Sequence, residues 1–212
     1  DRGTVLIKGD IYVPFATYDK KARAYRALAI KYRDIIEFLS KNEVKFENRV
    51  MNPLPVPFLK SSYSLRPYQR EAVEAWERAG KRGIIIMPTG SGKTLVGMKA
   101  IEMVQAPTLI VVPTLELLHQ WKERLERGFG IEVGAFGGGR KGLKGITVIT
   151  YDSAYIHAER LGNRFMLLIF DECHHLPAQG YRQIAELMAS PYRLGLTATM
   201  EREDGLHVHL PE

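Results

Sequence analysis

The stretch "IIIMPTGSGKTLVG", residues 84–97, leaves few folds open to this chain. A branched apolar run enters Gly90-Ser91-Gly92-Lys93-Thr94, and a helical pattern follows at once. Glycines let the backbone aim successive N–H groups inward around phosphates, at the positive end of the helix. In that arrangement Thr89, Gly90, Ser91 and Gly92 line the cradle and Lys93 reaches the β- and γ-phosphates. Thr94 offers its hydroxyl to Mg²⁺. The general pattern places a glycine where this chain has Met87, so the loop departs from it at one position. The competing reading is a glycine-rich strand-to-helix turn with a chance lysine. The strand before it and the helix after it count against that.

Beyond residue 60, apolar runs alternate with helical patterns. The runs are "GIIIM", "PTLIVV", "ITVIT", "FMLLIF" and "YRLGLT". Between them lie "GKTLVGMKAIEMV", "LELLHQWKERLERG" and "GYRQIAELMAS". Strands apolar on both faces and separated by helices predict a mostly parallel sheet covered on both sides. The fold class is therefore α/β over residues 61–212. Residues 1–60 read as a small mixed α/β module. "TVLIKGDIYVPFATY" predicts one or two short strands around Gly9-Asp10, a hairpin signal. "KARAYRALAIKYRDIIEFLSKN" spaces apolar residues three or four apart and predicts a helix with a basic outer face. "MNPLPVPF" breaks regular structure and reads as a linker, with a boundary near Lys60.

"FDECHHL", residues 170–176, allows two chemistries. Cys173, His174 and His175 are zinc-ligand types, but they are consecutive, and no second Cys/His pair stands at the usual short spacing elsewhere. Asp171-Glu172 ends an apolar run, where a nucleotide hydrolase carries the acid that completes its Mg²⁺ site. Glu172 beside it can orient and deprotonate the attacking water. The phosphate loop decides for the second chemistry. ATP and Mg²⁺ are the expected cofactors.

The 212 residues are 45% hydrophobic and about a quarter charged, ordinary for a soluble globular protein. The net charge of +6 is uneven. Residues 1–60 hold twelve Lys/Arg against seven Asp/Glu, and the remainder eighteen against seventeen. Basic excess of this kind tracks phosphate backbones or forms a solvated helix face. No apolar stretch is long enough for a membrane span, and no signal-peptide pattern opens the sequence. The single cysteine excludes an internal disulfide framework, so a reducing cytoplasmic setting is expected.

The motifs "LRPYQREA", "MPTGSGKT", "VVPTLELLHQW", "ITYDSAY", "DECH" and "LTATMERED", in this order, resemble the first motor domain of a superfamily 2 helicase. The resemblance spans residues 65–204. With a small module before the motor and "ERED" after the "TAT" motif, the chain is most similar to the XPB helicase family in its short prokaryotic form. The resemblance implies a RecA-like motor and an ATP-dependent DNA helicase or translocase of repair, of 3′-to-5′ polarity. DNA, as a single strand and as a fork or distorted duplex, is the implied substrate. A nuclease or a repair complex is a possible partner.

By the same resemblance Gln69, with Arg66, reads adenine, although a polar helix start also explains Gln69. Pro113-Thr114 and Thr150-Tyr151 hold one nucleic-acid strand by its backbone, although Thr150 could equally cap the next helix. His174 ties the hydrolysis site to Thr197-Ala198-Thr199, and Arg202-Glu203-Asp204 acts in unwinding, although an exposed charged turn also explains the triplet. The first sixty residues resemble a module that senses distorted DNA, with the Lys20–Arg33 segment as its basic helix. A second lobe carrying arginine fingers is implied, and its motifs are not among these residues, so a fragment is expected. Two rival readings stand: a restriction-type translocase motor, and a nucleotide-dependent DNA-binding module without catalysis.

Overall fold

The computed structural model describes residues 1–176 and 180–198. Strands β1 (Thr4–Ile7), β2 (Thr17–Asp19) and β3 (Ala24–Leu28) form an antiparallel sheet in the order β1-β3-β2. Two expectations fail here. The strands flanking Gly9-Asp10 do not pair with each other, because β3 lies between them. The predicted helix does not begin at Lys20: residues 24–28 are strand, and helix α1 covers only Tyr32–Lys41.

The reason is turn chemistry. The Asp19 carboxylate accepts from the backbone N–H groups of Lys21 and Ala22, at 2.9 and 3.1 Å, and Arg23 adopts φ 48°. An aspartate that caps its own turn offers the chain an alternative to helix. Arg26 then returns to Asp19 at 2.8 Å and to the Thr4 hydroxyl at 2.6 Å, which ties all three strands together.

Residues 42–66 contain no helix or strand, in keeping with the proline run, yet they are not loose. The N–H groups of Asn52 and Leu54 donate to the carbonyls of Asn163 and Arg164, both at 3.0 Å. Prolines fall at the alternate positions 53, 55 and 57, where no donor is called for. Leu59 is fully buried. The segment is a packed strap.

The second sheet has the order β4-β10-β9-β5-β8-β6-β7. Its strands are β4 (Arg82–Ile86), β5 (Thr108–Val112), β6 (Gly134–Gly137), β7 (Arg140–Gly142), β8 (Ile146–Thr150), β9 (Leu167–Asp171) and β10 (Tyr192–Thr197). Six are parallel, and β7 alone runs antiparallel at one edge. Helices are α2 (Pro67–Arg78), α3 (Lys93–Val104), α4 (Leu115–Phe129), α5 (Tyr151–Leu161) and α6 (Arg182–Leu187). The five apolar runs became β4, β5, β8, β9 and β10. The sequence "GAFGGGRKG" carries too few branched residues to announce β6 and β7.

Alternation along the central strands divides the core in two. Ile110, Val112, Leu167 and Ile169 face α2, α3 and α4. Leu109, Val111, Leu168 and Phe170 face α5 and α6. The N-terminal unit packs against the amino ends of β4 and β10. Ala189 joins its core, Arg82 meets Asp34 at 3.2 Å, and Arg33 donates to the Gly80 and Pro191 carbonyls. The carboxyl ends of the parallel strands are left at the opposite edge.

Candidate nucleotide and strand-binding site

Parallel strands deliver their following residues to one edge, and helices start there with free amides. At this edge β4 supplies the phosphate loop, β10 Thr197, β9 Asp171-Glu172, β5 Pro113-Thr114 and β8 Thr150-Tyr151. The sheet order makes these neighbours, with the loop at one end and the two threonine turns at the other.

The loop is built as its glycines require. Gly90 and Gly92 have φ 78° and 85°, left-handed values that a β-carbon disfavours. A β-carbon on Gly92 would lie 2.4 Å from Gln69 Nε2. The Ser91 hydroxyl donates to the Pro88 carbonyl at 2.6 Å, and α3 opens with Lys93 and Thr94. Lys93 Nζ stands 3.3 Å from the Met87 carbonyl and 3.9 Å from Glu172 Oε1.

Gln69 is buried, and both ends of its amide are engaged. Oε1 accepts from the Arg66 N–H at 2.9 Å, while Nε2 donates to the Ser91 carbonyl at 2.7 Å. Tyr68 donates to the same carbonyl at 2.9 Å. The helix-start reading of Gln69 is seen directly, and the same amide also touches the phosphate loop. Sequence reasoning missed Tyr68, although it stands inside the quoted "LRPYQREA".

Asp171 ends β9 and is 6% exposed. Burial raises its carboxyl above the usual carboxylate range, while the Trp121 indole N–H, donating to Oδ2 at 2.7 Å, works the other way. Oδ1 accepts from the Glu172 N–H at 3.0 Å. A buried carboxylate at the strand edge that also carries the phosphate loop suits a divalent cation. The donor set is all oxygen, which fits Mg²⁺. Glu172 sits at φ 49°, ψ 52°, a left-handed conformation uncommon outside glycine. Held there, its carboxylate lies between Lys93 and His174, whose Nδ1 is 3.4 Å from Oε2.

The same His174 Nδ1 lies 3.1 Å from Thr197 Oγ1. Thr197 also accepts through its carbonyl from the Met87 N–H at 3.0 Å, so it touches both the histidine turn and the phosphate loop. Ala198 follows it. Thr199 and Arg202-Glu203-Asp204 lie outside the described residues. Cys173 points into the core against Gly195, and burial pushes its thiol up to about 12. A thiol so placed is protonated and turned away from any shared ligand set. Among the described residues no group of three or more His, Cys, Asp or Glu side chains converges as a metal site.

The strand-contact candidates divide. Thr114 is exposed and caps α4, its hydroxyl accepting from the Leu117 N–H at 3.2 Å. Thr150 caps α5 in the same way, accepting from the Ser153 N–H at 3.4 Å. Both helix starts therefore present amides at one edge. Tyr151 departs from the expectation in its side chain, which is 1% exposed with its hydroxyl donating to the Asp171 carbonyl at 3.0 Å; only its main chain, at the start of α5, is left to meet a strand. The reason is its position, since the first residue of α5 turns inward over β9. Gly137, Gly138 and Gly139, passed over in the sequence, form a left-handed turn against Thr150 and Leu115.

Residues 62–202 match the family described as the Type III restriction enzyme, res subunit. Residues 1–50 match the Xeroderma pigmentosum group B helicase damage recognition domain. The chain is 53% identical over 206 residues to the DNA 3′-5′ translocase XPB2 of Sulfurisphaera tokodaii, covering 97% of this chain. It spans 47% of that relative's length. Among solved structures it is similar to the UvsW helicase of bacteriophage T4, with TM-score 0.58 and 17% identity over 89% of this chain and 76% of that one. The Sulfolobus solfataricus SWI2/SNF2 ATPase core in complex with dsDNA gives TM-score 0.60 and 22% identity, over 71% and 36%. These structural likenesses concern the RecA-like fold.

Proposed function

We propose, on the premise that this chain belongs to the XPB helicase family, that it is the ATP-binding half of an ATP-dependent DNA helicase or translocase acting in repair with 3′-to-5′ polarity. The observation that carries this is the convergence of Lys93, at the start of α3, on Glu172 at the end of β9, 3.9 Å apart. When bound, Mg²⁺ would supply charge neutralisation between the phosphate oxygens. Thr94 and Asp171 would hold it. The Gly90–Gly92 amides and Lys93 bind and orient the phosphates, with Arg66 and Gln69 on the adenine side. Glu172 positions water and takes its proton, and His174 with Thr197 relays the state of that site to the sheet edge. The amino ends of α4 and α5, at Pro113-Thr114 and Thr150, grip one strand by its phosphates, which requires no base reading. The match over 62–202 also suits a restriction-type translocase, but the match over 1–50 favours the repair reading.

Lys93→Ala tests the nucleotide half. Loss of a charge-assisted phosphate contact weakens ADP or ATP binding by about 10- to 100-fold. Calorimetric titration beside a circular-dichroism check of the fold measures it. Unchanged affinity would remove the phosphate-loop assignment.

The basic segment of the N-terminal unit is a hairpin tip, with Lys20, Lys21 and Arg23 exposed between β2 and β3. Arg26 is committed to Asp1 and Asp19 and is no free cation. Replacing Lys20, Lys21 and Arg23 with alanine is expected to lower the slope of log affinity against log salt by about two units, at roughly 0.7 to 0.9 per phosphate released. DNA-binding titrations at several salt concentrations give that slope. An unaltered slope would move DNA affinity away from this tip.

A further inference from the structure

Asp171 is held from both strand-contact helices. Trp121, in the second turn of α4, donates its indole N–H to Oδ2 at 2.7 Å. Tyr151, the first residue of α5, donates its hydroxyl to the Asp171 main-chain carbonyl at 3.0 Å. Helix α4 is capped by Thr114 and α5 by Thr150, the two turns assigned to strand contact. Both aromatic side chains are 1% exposed.

The far edge of the indole rests on Gly97 of α3, where a β-carbon would lie 2.6 Å from Trp121 Cη2. Helix α3 begins with Lys93. One rigid side chain with two rotatable bonds thus touches the phosphate-loop helix, the carboxylate and a strand-contact helix. A packed side chain cannot absorb a shift of its helix by changing rotamer. Its N–H moves with α4, and the carboxylate lone pairs turn with it.

We propose that Trp121 is a positioning residue for Asp171. With Tyr151 it transmits strand occupancy at the amino ends of α4 and α5 to the Asp171-Glu172 pair. The inference rests on the nucleotide-hydrolase reading above. It is separate from the His174–Thr197 contact, which reaches Glu172 from the β10 side.

The test uses the complete protein. ADP affinity is measured in EDTA and across a Mg²⁺ titration, and ATP turnover with and without single-stranded DNA. Trp121→Phe keeps a ring and loses the donor. It is expected to leave ADP affinity in EDTA unchanged and to raise the Mg²⁺ midpoint about 10- to 100-fold, the usual effect of losing a partner that orients a metal ligand. Gly97→Ala displaces the ring without removing its N–H and should shift the midpoint in the same direction; it decides the matter if Trp121→Phe fails to fold. Tyr151→Phe should reduce the stimulation of turnover by DNA at unchanged DNA affinity. A wild-type Mg²⁺ midpoint in both Trp121→Phe and Gly97→Ala overturns the proposal. So does a loss of ADP binding in EDTA that parallels loss of thermal stability, which would make Trp121 a packing residue only. A wild-type protein whose ADP binding ignores Mg²⁺ would instead defeat the hydrolase reading itself.

Discussion

In the complete protein, Glu172→Gln is expected to bind ATP normally and to hydrolyse it at least about 10²- to 10⁴-fold more slowly, the range ascribed to a positioned general base. The substitution is nearly isosteric, and glutamine meets the same backbone constraint at φ 49°. What disappears is the negative charge that faces Lys93 and His174. Lys93 loses a competitor for phosphate, so affinity should hold or rise. Steady-state turnover beside equilibrium nucleotide binding separates the two effects. A variant that turns over within threefold of wild type would remove Glu172 from the chemistry.

The second large effect concerns the far side of the nucleotide. Among the described residues, the cations brought to the phosphate loop stand at the starts of α2 and α3, Lys93 directly and Arg66 through Tyr68. Family resemblance implies arginines contributed from a second lobe, and such residues are worth about 10³ to 10⁵ in rate in nucleotide hydrolases. A polypeptide limited to residues 1–212 is therefore expected to bind nucleotide yet turn it over about 10³-fold or more below the complete protein. Adding DNA should not close that gap. Brisk DNA-stimulated hydrolysis by residues 1–212 alone would show that this half holds all the charge it needs.

Legibility in the sequence followed the range of the interactions. The phosphate loop, the DECH turn and five of the seven large-sheet strands are local patterns, fixed by branched runs and glycines within a few residues. Lys20–Leu28 misled because alanines and a tyrosine at helical spacing also satisfy a central strand, and the Asp19 cap that decides between them depends on hydrogen bonding. Trp121 was visible as a letter in "LLHQW", but its partner lies fifty residues away. Tyr151 was taken for a contact residue because its motif was read as a unit. Within that unit both side chains are buried, Thr150 at 9% and Tyr151 at 1% exposure, and what reaches the edge is the backbone at the start of α5. Gln69 was readable as a helix start because its bond to the Arg66 N–H spans three residues, whereas its bond to the Ser91 carbonyl spans twenty-two.

The proline strap bears on how the two units behave under stress. With Val50 and Met51 packed against the N-terminal core, Leu59 buried in the large one, and Asn52 and Leu54 bonded to the α5–β9 connection, the segment belongs to both units at once. Burial of one such leucine is worth about 1.5–3 kcal/mol, comparable to a sizeable share of a domain's whole margin. Peeling the strap exposes that surface before any hinge opens. Heat or denaturant is therefore expected to meet one cooperative body, seen as a single transition, where a flexible tether would let two halves melt in turn.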